Sequence, residues 1–130
     1  MYTPKGIRWM KPLYWMGGSR KDLKRFPDEV QDVMGHQLFA VQLGAKPKDA
    51  KTLKGFGGAG VLEIVEDFEG NTYRAVYTVK FTDAVYVLHC FQKKSRHGVA
   101  TPQHEIDLVR SRLKMAEEHY RKLKEVADER

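Results

Sequence analysis

The stretch YVLHCFQKKSRHGVATP, residues 86–102, begins as an apolar run and ends in a dense set of basic and imidazole side chains. An extended strand alternates its side chains between two faces. One face then carries His89, Phe91 and Lys93, and the other carries Leu88, Cys90, Gln92 and Lys94. Thr101 and Pro102 predict a helix start, with a capping hydroxyl followed by proline at the first helical position. This strand therefore leads the chain from the core to a charged rim, where we expect the chemistry.

Two further strands are predicted just before this one, over residues 61–66 and 73–81, and the third runs over residues 85–94. Turn residues at 67–71 and at 82–83 join them, and such short connections imply an antiparallel meander. Apolar side chains occur on both faces of the third strand, which predicts a central strand covered by a helix on one side. An earlier segment, residues 7–16, contains Pro12 and is expected to be an edge strand or a strand broken at the proline.

Helical periodicity appears on both sides of the predicted sheet. Ser19 is a plausible N-cap for a short basic helix. A longer helix begins near Pro27 and ends at Gly44, and its apolar face is Val30, Val33, Met34, Leu38 and Val41. The C-terminal helix repeats apolar residues at intervals of three and four: Ile106, Val109, Leu113, Ala116, Tyr120 and Leu123. The prediction is an α+β fold with N-terminal helices, an antiparallel sheet and a C-terminal amphipathic helix.

Length and charge narrow the class of protein. At 130 residues the chain fits one domain, residues 1–130. Residues 1–60 contain 11 Lys or Arg against 5 Asp or Glu, which accounts for the whole formal net charge of +6. A basic region favours a phosphate-rich or acidic partner. Apolar runs are too short for a membrane span and no signal peptide is recognisable, so we expect a cytoplasmic protein with no membrane partner. Cys90 is the single cysteine and is expected to be a small buried side chain.

A lysine-rich connector precedes the first strand of the meander. Residues 45–60, AKPKDAKTLKGFGGAG, carry four lysines before a glycine-rich turn: Lys46, Lys48, Lys51 and Lys54. These lysines are candidates for binding RNA phosphates. The spacing is not that of a nucleotide-binding P-loop, because no Gly-Lys-Ser/Thr follows and no strand precedes it. ATP and GTP binding are therefore excluded.

The remaining chemical groups favour phosphate chemistry. The five histidines are scattered without a metal-ligand spacing, so we expect no metal and no cofactor. Arg74 lies in a strongly β-forming run, where a charge needs explaining, and Glu63 has Val61 and Val65 as its neighbours on the same face. The candidate catalytic residues are Arg74, His89, Lys93 and Lys94.

Cleavage of RNA without a metal needs three things: a deprotonated 2′-hydroxyl, a protonated leaving oxygen and neutralised phosphorane charge. His89 is a candidate acid or base, while Arg74 and the lysines hold negative charge. Phe91 is a candidate for packing or for stacking on a base. His89 is equally well explained as a hydrogen-bonded core histidine. The residues alone do not separate a ribonuclease from an RNA-binding module.

The string at residues 86–102 resembles the signature of the phage-derived branch of HigB-like toxins, within the RelE and ParE superfamily of toxin-antitoxin pairs. Four further pieces look similar, in the same order: KPLYWMGGSRKDL, FPDEVQDVMGHQL, AKTLKGFGGAGVLEI and YRAVYTVKF. Together they cover nearly all of residues 11–113. The resemblance implies a compact α+β fold and an endonuclease that cuts messenger RNA without metal, usually in the ribosomal A site. It also implies a cognate antitoxin, often a helix-turn-helix protein.

The resemblance also implies roles for individual residues. Arg74 in YRAVY matches the phosphate-stabilising arginine of the family, and Lys54 falls where the family places a basic residue before the strand. The strand that the family uses for its active-site edge holds His89, Phe91, Lys93 and Lys94. Many relatives use a C-terminal tyrosine, or an aspartate near a histidine, but no acid adjoins His89 in this chain. The general acid and base therefore stay unassigned.

Two other functions remain open at this point. Relatives of the ParE type act on gyrase, so a ParE-like or degenerate toxin that binds a protein target without cutting RNA is one alternative. A small basic RNA-binding domain without catalysis is the other.

Overall fold

The computed structural model describes residues 10–93 and 100–129, and over these ranges it contains five strands and three helices. In chain order they are β1 (Leu13–Trp15), α1 (Ser19–Leu23), α2 (Asp28–Gln42), β2 (Ala50–Thr52), β3 (Val61–Phe68), β4 (Asn71–Thr78), β5 (Val85–Lys93) and α3 (Gln103–Asp128). The predicted α+β class is confirmed. None of these helices is long and apolar enough to cross a membrane.

The strands form one sheet in the order β1-β5-β4-β3-β2. Strands β3, β4 and β5 are the predicted antiparallel meander, with Glu63 opposite Val76 and Arg74 opposite Phe91. Two features differ from the sequence prediction. β1 pairs in parallel with β5, and the connection between them contains α1, α2 and the other three strands. Part of the lysine-rich connector also forms a strand, β2, which pairs with β3.

The sheet has a separate apolar core on each face. Helix α2 covers the face that presents Ile64, Ala75 and Val87, and α3 covers the face that presents Val76 and Leu88. The sheet is therefore buried between helices, as the apolar residues on both faces of the third strand predicted. Cys90 belongs to the α2 core, and burial raises the pKa of its thiol to about 12. The thiol stays protonated and unreactive, as expected of a small buried side chain.

A β-bulge corrects the predicted alternation of β5. Val76 lies opposite His89, but the next residue, Tyr77, lies opposite Val87. The extra residue, Leu88, therefore joins the α3 core, although strict alternation puts it on the other face. Because of the bulge, two consecutive side chains, Leu88 and His89, lie on the face that α3 covers.

The predicted side-chain caps are not formed. Pro102 is the N-cap of α3, which begins at Gln103 and has no side-chain cap hydrogen bond. Gly18 is the N-cap of α1, and the Ser19 hydroxyl donates instead to the Val87 carbonyl oxygen at 3.2 Å. In both places the hydroxyl residue lies beside the helix terminus but does not cap it.

Candidate nucleic-acid cleft

An open cleft of about 510 Å³ lies between the lysine-rich segment, the strand pair β3–β4 and the first turns of α3. Its floor is the α3-facing side of the sheet, and its walls come from chain segments far apart in sequence. The lining residues are Lys51, Thr52, Leu53, Lys54, Gly55, Glu63, Arg74, Ala100, Thr101, Gln103, Ile106 and Arg110.

A buried ion pair forms the floor of this cleft. Arg74 Nη1 donates to Glu63 Oε1 at 2.7 Å, and the two side chains are only 2% and 3% exposed. The register places them diagonally on adjacent antiparallel strands, which brings long side chains on one face within reach. Their remaining polar atoms, Arg74 Nε and Nη2 and Glu63 Oε2, have no hydrogen-bond partner within residues 10–93 and 100–129. The Nε–Nη2 edge of Arg74 thus has two donor atoms that no group in this part of the chain satisfies.

Lysines lie around this ion pair. Lys51 Nζ is 3.7 Å from Glu63 Oε1, and its side chain is half exposed. Lys54 lines the cleft from the end of the same segment and is exposed to solvent. Lys93 Nζ donates to the carbonyl oxygen of Ala100, another lining residue, at 2.6 Å. Burial lowers the pKa of Lys93, and the charge of Arg74 lowers it further.

Helix α3 adds a further cation to the wall of the cleft. Arg110 has its guanidinium 4.6 Å from the centre of the Phe56 ring, and its Nη2 donates to the Gly55 carbonyl oxygen at 3.3 Å. This cation–π contact and hydrogen bond tie α3 to the glycine-rich segment after Lys54. The side chain of Arg110 is therefore held over the opening of the cleft.

His89 lies outside the cleft, in a closed network. Arg112 Nη1 donates to His89 Nδ1 at 3.0 Å and to the Leu88 carbonyl oxygen at 3.1 Å. Because arginine only donates, Nδ1 is an acceptor and the ring proton of neutral His89 is on Nε2. Nε2 lies 3.3 Å from Glu105 Oε2, outside hydrogen-bond geometry. Burial lowers the pKa of His89, and Arg112 acts in the same direction while Glu105 opposes it.

Three other predicted residues are also separated from the cleft. Phe91 is 8% exposed and stacks on His89 with the ring centres 5.0 Å apart, so it packs in the core. Lys46 lines a different groove, beside α2, and neither it nor Lys48 lines the cleft. Lys94 lies outside the described residues. Of the nine predicted site residues, the structure brings together Arg74, Lys93, Lys51 and Lys54.

Sequence reasoning missed three kinds of cleft residue. Glu63 was recognised as an acid between apolar neighbours, but its partner on β4 was not. Arg110 lies on the polar face of an amphipathic helix, where a charge is ordinarily explained by solvent. Thr101 is assigned to the helix start, and the sequence gives no functional signal at Gln103. The sequence did contain a signal for Glu63, because Glu63 and Arg74 are opposite charges within two neighbouring apolar strands.

The arrangement has a definite chemical capacity. A guanidinium edge with two donors matches two oxygens of one phosphate, and a planar fork holds such a group in a fixed orientation. Exposed lysines and Arg110 around it attract the neighbouring phosphates of a polyanion. Within the described residues, no group of three or more His, Cys, Asp or Glu side chains could hold a metal ion.

Comparison with known proteins identifies the family. The model described as Phage derived protein Gp49-like (DUF891) matches residues 21–114, which is more than half of the chain. No curated protein matches the sequence significantly. The crystal structure of the toxin-antitoxin complex RelBE2 from Mycobacterium tuberculosis is similar at a TM-score of 0.46, with 19% sequence identity, over 68% of this chain and 97% of that chain. A likeness of that size supports no inference about activity. By the family match, which confirms the resemblance to the phage-derived branch, the chain belongs to the Gp49-like family.

Proposed function

We propose that this protein is an endoribonuclease that cuts messenger RNA on the ribosome and so inhibits translation, as the toxin of a toxin-antitoxin pair. One observation carries the proposal. The guanidinium of Arg74 is buried at the floor of an open cleft, and its Nε and Nη2 have no partner within the described part of the chain. A buried donor without a partner is costly and uncommon, and a phosphate would satisfy both nitrogens.

Each cation around the cleft has a part in this reaction. Arg74 binds two oxygens of the scissile phosphate and neutralises the charge that develops in the phosphorane. Lys93 protonates the leaving 5′-oxygen, because a lowered pKa makes an ammonium a stronger acid at neutral pH. The exposed cations Lys51, Lys54 and Arg110 hold phosphates on either side of the cut. This set supplies charge stabilisation and a proton from side chains, so no metal is required.

The biological setting follows from the family resemblance. A helix-turn-helix antitoxin is proposed as the protein partner, the ribosome with its messenger RNA as the target, and the cytoplasm as the location. His89 is left out of the proposed catalytic set, because both of its ring nitrogens face side chains of α3.

The first test is induction of the wild-type gene and of an Arg74→Lys variant in a bacterial host, with mapping of new RNA 5′ ends. Lysine keeps a positive charge beside Glu63 but loses the two-donor edge. We expect growth arrest and new cuts for the wild type, and a rate of cutting at least about 100-fold lower for the variant. The matched control is Lys46→Arg, a change between the same two residue types outside the cleft, which should cut normally.

Three other outcomes would contradict the proposal in different ways. Growth arrest without new RNA ends would indicate a protein target. Wild-type cutting that Arg74→Lys leaves unchanged would remove Arg74 from the reaction. Absence of both arrest and cutting, with RNA binding retained, would indicate an RNA-binding domain without catalysis.

A further inference from the structure

The polar atoms left over at the cleft floor are of two kinds. Arg74 has two free donors, Nε and Nη2, and Glu63 has one free acceptor, Oε2, counted within residues 10–93 and 100–129. All three are buried, and both side chains line the cleft. The group that satisfies them together must accept two hydrogen bonds and donate one at an adjacent position. An oxyanion next to a hydroxyl has that pattern.

A ribonucleotide carries the same pair of groups on neighbouring carbons. The 3′-phosphate offers two oxygens to Arg74, and the 2′-hydroxyl beside it offers a hydrogen to Glu63. We propose that Glu63 is the general base of the reaction, with Oε2 accepting the 2′-hydroxyl proton. This assignment rests on the proposed ribonuclease function and deepens it, because it explains how the cleft distinguishes RNA from DNA.

The step balances with groups already in place. Glu63 Oε2 takes the 2′-hydroxyl proton while the 2′-oxygen forms a bond to phosphorus. The bond from phosphorus to the 5′-oxygen then breaks, and that oxygen takes a proton from Lys93. The products are a 2′,3′-cyclic phosphate and a 5′-hydroxyl end, with one proton gained by Glu63 and one lost by Lys93.

A purely structural role for Glu63 accounts for only one of its two carboxylate oxygens. A buried arginine needs a countercharge, and Oε1 provides it at 2.7 Å from Nη1. That role leaves Oε2 buried without a donor in the described structure, next to an opening large enough for a nucleotide. Lys51, 3.7 Å from Oε1, approaches the oxygen that Arg74 already holds and does not occupy Oε2.

The decisive variant is Glu63→Gln, which keeps the shape and an oxygen for Arg74 Nη1 but removes the basic carboxylate. The matched control is Glu66→Gln on the same strand, because Glu66 lies outside the residues that line the cleft. Three readouts are needed: single-turnover cleavage of messenger RNA in programmed ribosomes at neutral pH, affinity for adenosine 3′-monophosphate by NMR titration, and thermal unfolding.

We expect Glu63→Gln to lower the cleavage rate by about 100- to 10,000-fold, while its affinity for adenosine 3′-monophosphate stays within about threefold of wild type. Glu66→Gln should match wild type in every readout.

Two results would overturn the role of Glu63 while the proposed function stands. One is a wild type that cuts RNA and a Glu63→Gln variant that cuts at a similar rate. The other is a loss of rate matched by an equal loss of phosphate affinity, which would make Glu63 a positioning residue for Arg74. A wild type that binds the nucleotide but cuts no RNA in programmed ribosomes would instead reject the proposed function, and the base with it.

Discussion

Two pairs of ionisable groups lie on the same face of the sheet, one fully buried and the other partly buried, and their surroundings give them different uses. Arg74 and Glu63 meet at the floor of an open cleft and keep polar atoms without partners in the described structure. His89 and Arg112 meet under α3, where Arg112 also donates to a backbone carbonyl. The first pair has capacity for a ligand, and the second holds α3 on β5.

The His89 network predicts a pH dependence of stability. Its native pKa is lowered, chiefly by burial, whereas an unfolded histidine titrates near 6.5. As the pH is lowered, the unfolded chain therefore binds the proton before the folded chain does. The contribution of His89 to the free energy of unfolding is complete above about pH 6.5 and decreases as pH drops towards the native pKa. The His89→Asn variant keeps an oxygen that can accept a hydrogen bond from Arg112 but has no group that titrates. In this variant, the part of the pH dependence of the free energy of unfolding that is due to His89 should disappear.

Urea unfolding at several values between pH 7.5 and 5 measures this slope. The matched control is His36→Asn, the same substitution at an exposed position on α2. An equal slope in wild type and His89→Asn would show that His89 is not the group that titrates.

At this scale the sequence predicted the face of each strand side chain better than it predicted which side chains meet. Alternation along β4 and β5 puts Arg74 and Lys93 on one face of the sheet, where the structure has them. His89 shares that face, yet Arg112, 23 residues later, holds its ring in the core. A contact between two elements that the sequence separates has no local pattern, so the closed network could not be anticipated.

Two glycines differ in whether a larger side chain would fit at their position. α2 carries Gly35 in its middle, exposed, and a Cβ added there would meet no atom within 4 Å. The β1–α1 turn carries Gly17 at φ +53, where an added Cβ would lie 2.5 Å from Arg112 Nε. One glycine is therefore dispensable for packing, and the other lets Arg112 approach the backbone.

These two glycines predict opposite effects of one substitution. Gly35→Ala should raise the free energy of unfolding by about 0.5 to 1 kcal/mol, since alanine is the better helix former and fits without contact. Gly17→Ala should lower it by about 1 kcal/mol or more, because the backbone is left-handed there and Arg112 must move. Urea unfolding midpoints of both variants test this, and equal shifts of the same sign would contradict it.

At the scale of elements, periodicity predicted the three central strands and both long helices. β2 was missed because three residues, one of them a lysine, show no alternation, and its pairing with β3 forms it. The position of β2 also explains why some lysines of this segment line the cleft and others do not. Lys51 lies within β2 and Lys54 lies just after it, on the cleft, whereas Lys46 precedes β2 and lies beside α2.

For the whole molecule, the division of the lysines between the cleft and other surfaces predicts how the proposed RNA binding depends on salt. Binding to single-stranded RNA weakens with salt in proportion to the phosphates neutralised, by about 0.7 in the logarithmic slope for each contact. Lys54→Ala and Arg110→Ala should each reduce the slope by about that amount. Lys46→Ala and Lys48→Ala, which remove the same charge outside the cleft, should leave the slope nearly unchanged.

The measurement is the affinity for a short RNA at several salt concentrations, with a 2′-deoxy nucleotide at the cut site to prevent cleavage. Equal slope changes for all four variants would mean that RNA follows the net charge of the surface and not the cleft. The sequence located the excess charge in the first half of the chain, but only the assembled sheet separates cleft lysines from the others.

The parallel pairing of β1 with β5 also has a consequence for biosynthesis. β1 has no strand to pair with until β5 has been made. The hydrogen bond from the Ser19 hydroxyl to the Val87 carbonyl oxygen likewise joins residues 68 positions apart. Such distant contacts form late and slowly in folding. Arg110, which completes the cleft wall, is made later still. A chain still being translated therefore has no finished cleft, and under the proposed function we expect it to cut no messenger RNA before Arg110 has been made.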